Sequence, residues 1–163
     1  MKTKRPLSIY IHIPFCVRKC LYCDFLSAPA SGETMEAYAS CLCREIEAAG
    51  KLYPDYEVRT VFFGGGTPSI LKKERICQIM EALRRAFRLA EDAEITIEVN
   101  PGTVDADKLA AYYAAGINRL SIGVQSLQEN ELQALGRIHS TEDFFQTYST
   151  VSYTHLTLPT NRE

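Results

Sequence analysis

The chain has 163 residues, 46% of them apolar, and a formal charge of −2 with acidic and basic side chains interspersed. That is enough to fill one ordinary domain core, and the near-neutral balance excludes a polyanion-binding surface, so no nucleic-acid partner is expected. No apolar run is long enough to span a membrane, and the stretch after the basic N-terminus is broken at Tyr10 and His12, unlike a secretory leader.

Taken in chain order, short β-branched runs alternate with helical patterns, which predicts repeated βα units around a parallel sheet. Strands are expected over 8–13, 58–63, 94–99 and 119–124, and helices over 34–49, 72–88, 105–115 and 128–135. The strands alternate strictly. Ile9, Ile11 and Ile13 oppose Tyr10 and His12; Ile95, Ile97 and Val99 oppose Thr96, Glu98 and Asn100; Leu120, Ile122 and Val124 oppose Ser121, Gly123 and Gln125. In a βα barrel the apolar faces lie under the helices and the polar faces point inward. Packed barrel interiors prefer branched aliphatics, so this polar interior predicts a lumen that holds a polar ligand near the C-terminal strand ends.

Six cysteines without a leader point to a reducing, cytoplasmic setting, where close-spaced thiols bind metal more often than they pair. Cys16, Cys20 and Cys23 fall in one short loop just past the first strand. Structural zinc wants four ligands, usually from two separated pairs, and the sequence offers no second pair. Cys41 and Cys43 project to different sides of a helix, and with Cys77 they are expected to serve as packing residues. Three thiolates on a cubane iron–sulfur cluster leave one iron without a protein ligand, open to a substrate. A small zinc-stabilised module without catalysis stands as a third reading.

Other features support a ligand site. Gly64-Gly65-Gly66-Thr67-Pro68 ends the second strand, and glycines let the backbone approach a ligand closely. Glu98 is an inward carboxylate near a strand end, which needs a partner when buried; a ribose hydroxyl pair or an ammonium would serve.

The Cys16-x3-Cys20-x2-Cys23 spacing, with an aromatic at Tyr22, resembles the signature of the radical S-adenosylmethionine (SAM) superfamily. The resemblance implies a [4Fe-4S] cluster on these three cysteines, whose open iron chelates SAM. It also implies an electron donor that reduces the cluster to give a 5′-deoxyadenosyl radical, and a (β/α)6 barrel. The present chain would supply about four of its βα units, making it an α/β, partial barrel with an open lumen and an unpaired edge, expected to aggregate if produced alone. Adding residues 9–16, 98–102, 121–126 and 136–139, the chain resembles the HemN/HemW family from residue 8 to about 148. That resemblance implies that Tyr10, Gly65 and Glu98 contact cluster-bound SAM. It also places Tyr22, Gly66, Thr67, Gln125 and Arg137 around a second SAM-sized pocket. No catalytic side chain is assigned; His12 is read equally as a satisfied barrel histidine or as a ligand, and a bland loop role is expected for His139.

One position separates the branches of that family. The porphyrinogen-oxidising members carry a fourth cysteine two residues after the third; here Phe25 stands there. This departure resembles the haem-chaperone branch, whose members bind haem and pass it to acceptor proteins. Haem delivery is therefore the leading expectation, with oxygen-independent coproporphyrinogen III oxidation as the alternative, so whether the protein is an enzyme stays open. Residues 1–148 are read as the N-terminal part of the barrel. Residues 151–163, which lack helical period and cap, resemble a translated sequencing adapter and are read as non-native.

Overall fold

The structure is a computed structural model that describes residues 4–152. Four parallel strands lie side by side in chain order: β1 (Arg5–Ile13), β2 (Tyr56–Gly65), β3 (Leu89–Val99) and β4 (Arg119–Ile122). Helices α1 (Gly32–Gly50), α2 (Lys73–Ala86) and α3 (Ala106–Ala114) make the crossovers, and α4 (Glu129–Ala134) and α5 (Thr141–Ser152) follow β4. Among the described residues β1 and β4 are the two edges of the sheet. The expected α/β architecture with four βα units is what forms.

Alternation decides which face meets the helices. Ile11, Ile13, Val61, Phe63, Ile95, Ile97, Val99 and Leu120 are buried against Leu42 and Ile46 of α1, Ile76, Ile79, Met80 and Leu83 of α2, and Leu109 and Tyr112 of α3. Each such aliphatic stabilises the fold by about 1.5–3 kcal/mol relative to exposure. Local signals fix the helix ends. The Ser31 hydroxyl accepts from Thr34 N at 3.2 Å, and Asp105 accepts from Lys108 N at 2.7 Å, so each caps its helix start. Gly116 ends α3 with φ +88°.

Three expectations need correction. Cys41 is exposed, beside Arg44, so it is not a packing residue; Cys43 and Cys77 do pack against the core. β4 stops at Ile122, because Val124 N bonds Ile122 O at 3.0 Å and Ser126 N bonds Val124 O at 2.9 Å. The chain thus leaves the strand through two tight turns, and Gln125 sits at φ +68° instead of on a strand. Finally, the pattern does not break at Val151: that residue is fully buried in the last turn of α5, which runs through Ser152. The rest of the segment read as non-native, 153–163, lies outside the described residues.

Candidate functional site

The cysteine loop leaves β1 and returns at Ala28, where Cys16 N donates to Ala28 O (3.2 Å) and Ala28 N to Pro14 O (3.0 Å). That closure makes a compact loop in which Cys23 N bonds Cys20 O at 3.1 Å. Beneath it, β2 runs out into the glycines. Gly66 N donates to Ile13 O (2.8 Å) and Thr67 N to Phe15 O (2.7 Å), extending the β1–β2 ladder past both strand ends. Gly66 is needed there, since a Cβ would lie 2.5 Å from Phe15 O and 2.9 Å from Cys16 Sγ.

A cavity of about 400 Å³ opens between this loop and the C-terminal ends of β2, β3 and β4. Cys16, Cys20 and Cys23 line it together, all as free thiols. Gly65, Gly66, Thr67 and Glu98 form its floor and one wall; Gln125, Arg137 and Tyr22 form the other. Ten of the eleven residues singled out from the sequence therefore converge on one cavity. Tyr10 is the exception. Its ring is 58% exposed and stacks on Phe62, its hydroxyl lies 3.2 Å from His12 Nδ1, and it approaches Gly64 on the same face as Glu98.

Glu98 receives a hydrogen bond from Gly65 N at 3.2 Å. Burial pushes its carboxyl above the ordinary range, and the Gly65 bond partly restores the anion. A half-buried carboxylate with spare lone pairs at a cavity wall suits an ammonium or a hydroxyl pair. Tyr22 is raised by burial and drawn back by Arg137. Thr67 is buried, with Oγ1 3.8 Å from Cys16 Sγ.

Asn100 is not singled out by the sequence as a site residue, yet it links both walls. Its Nδ2 donates to Thr67 Oγ1 at 2.9 Å, and its Oδ1 accepts from Arg137 Nη2 at 2.9 Å. Its inward register on the third strand is the available signal. Arg18, which lines the cavity and donates to Gly136 O at 3.0 Å, has none. Behind the wall, Lys108 Nζ bonds Ser69 O and Thr103 O, and burial lowers its pKa. His12 Nε2 meets Leu26 O and His139 Nε2 meets Val124 O, each bracing a loop.

Soft thiols as the cavity's donors fit iron–sulfur chemistry. Among the described residues no three His, Cys, Asp or Glu side chains are grouped as ligands of a single metal ion. In a cubane each thiolate holds its own iron, so the cysteines need not converge on one point. The donor set, and a glycine edge that admits no Cβ beside Cys16, fit a cluster. No described helix is long and apolar enough to cross a membrane.

Comparison with known proteins agrees with this geometry. The family described as the radical SAM superfamily matches residues 10–152. The heme chaperone HemW of Escherichia coli is 48% identical over 139 residues, which cover 85% of this chain and 37% of that protein. The bovine mitochondrial radical S-adenosyl methionine domain-containing protein 1 is 43% identical, with 86% and 32% covered. Among solved structures, coproporphyrinogen III oxidase (HemN) of Escherichia coli, a radical SAM enzyme, superposes with a TM-score of 0.88 at 34% identity, covering 94% of this chain and 36% of that one. The chain thus spans about a third of the length of these relatives.

Proposed function

The chain belongs to the radical SAM superfamily and, within it, to the HemN/HemW family, and on that premise we propose a cluster- and SAM-binding protein of haem metabolism whose leading role is haem delivery. The observation that carries the reading is the convergence of Cys16, Cys20 and Cys23 on one cavity with Gly65, Gly66 and Glu98. The three cysteines would hold a [4Fe-4S] cluster, and SAM would occupy the cavity against it. When bound and reduced by an electron donor, that pair supplies one-electron chemistry. The chain's own groups bind and orient: Gly65 and Gly66 leave the backbone open to a ligand, Glu98 accepts from an ammonium or ribose hydroxyls, and Gln125 and Tyr22 wall off the far side.

Phe25 favours haem delivery over oxidation. It lies on the cavity rim, 68% exposed, and offers a flat apolar face where the family resemblance puts a cysteine in the oxidising branch. The 48% identity to a heme chaperone supports the same choice. Haem and acceptor proteins would then be its partners, in the reducing cytoplasm that its thiols favour. The second reading, coproporphyrinogen III oxidation, draws support from the close superposition on HemN.

Anaerobic reconstitution of the purified protein tests the reading. About four irons and four sulfides per chain with broad visible absorption are expected, against a colourless zinc form. Haem binding without turnover of coproporphyrinogen III supports delivery. Turnover would establish the second reading, and failure to take up iron and sulfide would overturn both.

A further inference from the structure

We infer that Lys108 is a positioning residue: from behind the cavity it staples the turn after the glycine run to the turn after β3, and so fixes where Glu98 stands against Gly65. The staple stands on geometry alone; its effect on SAM rests on the function proposed above.

Lys108 occupies the first turn of α3, where a cation opposes the helix dipole. Its side chain nevertheless turns inward, between two loops. Nζ donates to Ser69 O (2.5 Å) and to Thr103 O (3.1 Å). Burial lowers its pKa, against the pull of Asp105 and Glu74. Dipole and desolvation both disfavour this placement, so the two carbonyls are what hold the ammonium there. Lys73 shows the ordinary alternative, pairing at the surface with Asp107 of the same first turn.

The side chains of the two acceptor residues complete the staple. Thr103 Oγ1 donates to Asn100 O at 2.6 Å. The 2.6 Å contact between Thr103 Oγ1 and Ser69 Oγ must then be donated by Ser69, whose oxygen accepts in turn from Asn100 N at 3.4 Å. Three hydrogen bonds thus close a ring through Ser69, Thr103 and Asn100, with Ser69 fully buried, and bonds in such a ring polarise one another. Gly102 N adds a bond to Thr147 Oγ1 of α5 at 3.0 Å. Ser69 sits in the 3-10 turn Pro68–Ile70, just beyond Gly66, and Asn100 lies just beyond Glu98. The strand ends joined in this way carry Gly65 and Glu98, whose hydrogen bond of 3.2 Å faces the cavity. None of Lys108, Ser69 and Thr103 lines that cavity, so each acts through the residues it holds.

Lys108→Met removes the donor to both carbonyls and tests the staple in the purified protein. In the metal-free protein, hydrogen exchange of the amides at 70, 71, 102 and 103 is expected to quicken about tenfold, with those at 110–114 in α3 unchanged. In the reconstituted protein, Lys108→Met is expected to weaken SAM binding about tenfold with iron uptake unchanged. Ile79→Val, in the buried face of α2, lowers the melting temperature without touching the staple, and its SAM affinity should equal the parent's. Unchanged exchange at the four amides overturns the staple. SAM affinity that is unchanged in Lys108→Met, or that falls as far in Ile79→Val, overturns the positioning role. Should Lys108→Met not fold, Ser69→Ala, which opens the ring and keeps the carbonyl that Lys108 meets, decides by the same two readouts. If the parent takes up no cluster or binds no SAM, the proposed function falls and the effect on SAM with it, while metal-free exchange still decides the staple.

Discussion

Gly66 passes so close to Cys16 that a Cβ on the glycine would stand 2.9 Å from the sulfur and 2.5 Å from the neighbouring Phe15 carbonyl oxygen. The second contact is with backbone, and that backbone is held by Thr67 N, which donates to Phe15 O at 2.7 Å. Neither strand end can yield without breaking the ladder extension that seats the cysteine loop. Gly66→Ala is therefore expected to cost about 1–3 kcal/mol and to lower iron uptake on reconstitution. Gly32, at the start of α1, would have nothing within 4 Å of an added methyl, so Gly32→Ala should stabilise by about 0.4–1 kcal/mol and leave iron uptake unchanged. Urea unfolding and an iron assay read both; equal behaviour of the two variants would contradict the close approach.

Glu98 sets a pH dependence. Burial raises its folded-state pKa above the ordinary 4.5, so the folded state holds its proton more tightly than the unfolded chain. Its contribution to stability is fully present below the unfolded pKa and is lost as pH rises through the folded one. Glu98→Gln keeps an acceptor for Gly65 N and removes the buried charge. The variant should melt higher than the parent at neutral pH, and the difference should vanish in acid. SAM affinity should move the other way, falling about tenfold or more for the loss of a charged acceptor. Melting curves across pH, with calorimetric SAM titration, separate the two effects.

Much of this is legible in the sequence because period-2 alternation fixes the facing of a strand once one side is buried. Glu98 and Asn100 are placed inward by Ile97 and Val99, and the structure puts both on the cavity wall. The cysteine loop and the glycine run are legible as local strings. Their convergence depends on parallel strands ending at one edge of the sheet, which the alternating βα order implies. Long-range contacts are not legible. Nothing local marks Arg18 as a donor to Gly136 O, and Tyr10, inward by pattern, stacks on Phe62 at the β1 edge and does not line the cavity. Helix α5 escapes the sequence reading although Ser140 and Asp143 carry a cap signature, with Ser140 N on Asp143 Oδ2 at 2.8 Å and Asp143 N on Ser140 Oγ at 3.1 Å. The sequence just beyond it carries no apolar period, which hides the last turn of the helix.

Gly136 carries two demands at once. Its φ of +71° is left-handed, and its α-carbon abuts Leu21 of the cysteine loop. Gly136→Ala meets a backbone cost of about 1–2 kcal/mol, and the added methyl pushes Leu21 away. Lower stability is expected together with faster protease cleavage between 17 and 23. Adding back stability elsewhere through Gly32→Ala should recover part of the melting temperature but none of the protease resistance, because the loop contact is lost locally. Recovery of both would show that Gly136 matters only through overall stability.

Phe25 offers a test based on magnitude. A core phenylalanine costs about 3–5 kcal/mol when cut to alanine, whereas an exposed one changes stability by about 0.5 kcal/mol or less. With 68% of its surface exposed at the cavity rim, Phe25 should behave as the second kind, and iron uptake should be unaffected because its side chain holds no cysteine in place. Its carbonyl, which accepts from Lys19 Nζ at 3.1 Å, remains in Phe25→Ala and keeps the loop's inner bond. What the variant loses is an apolar face beside the three thiols. If that face receives a planar macrocycle, haem affinity of the purified protein should drop several-fold, with SAM affinity and melting temperature unchanged. A large fall in stability would mean the ring is packed. Unaltered haem affinity would move the haem site away from the cavity rim and remove the structural reason for reading Phe25 as part of the delivery function.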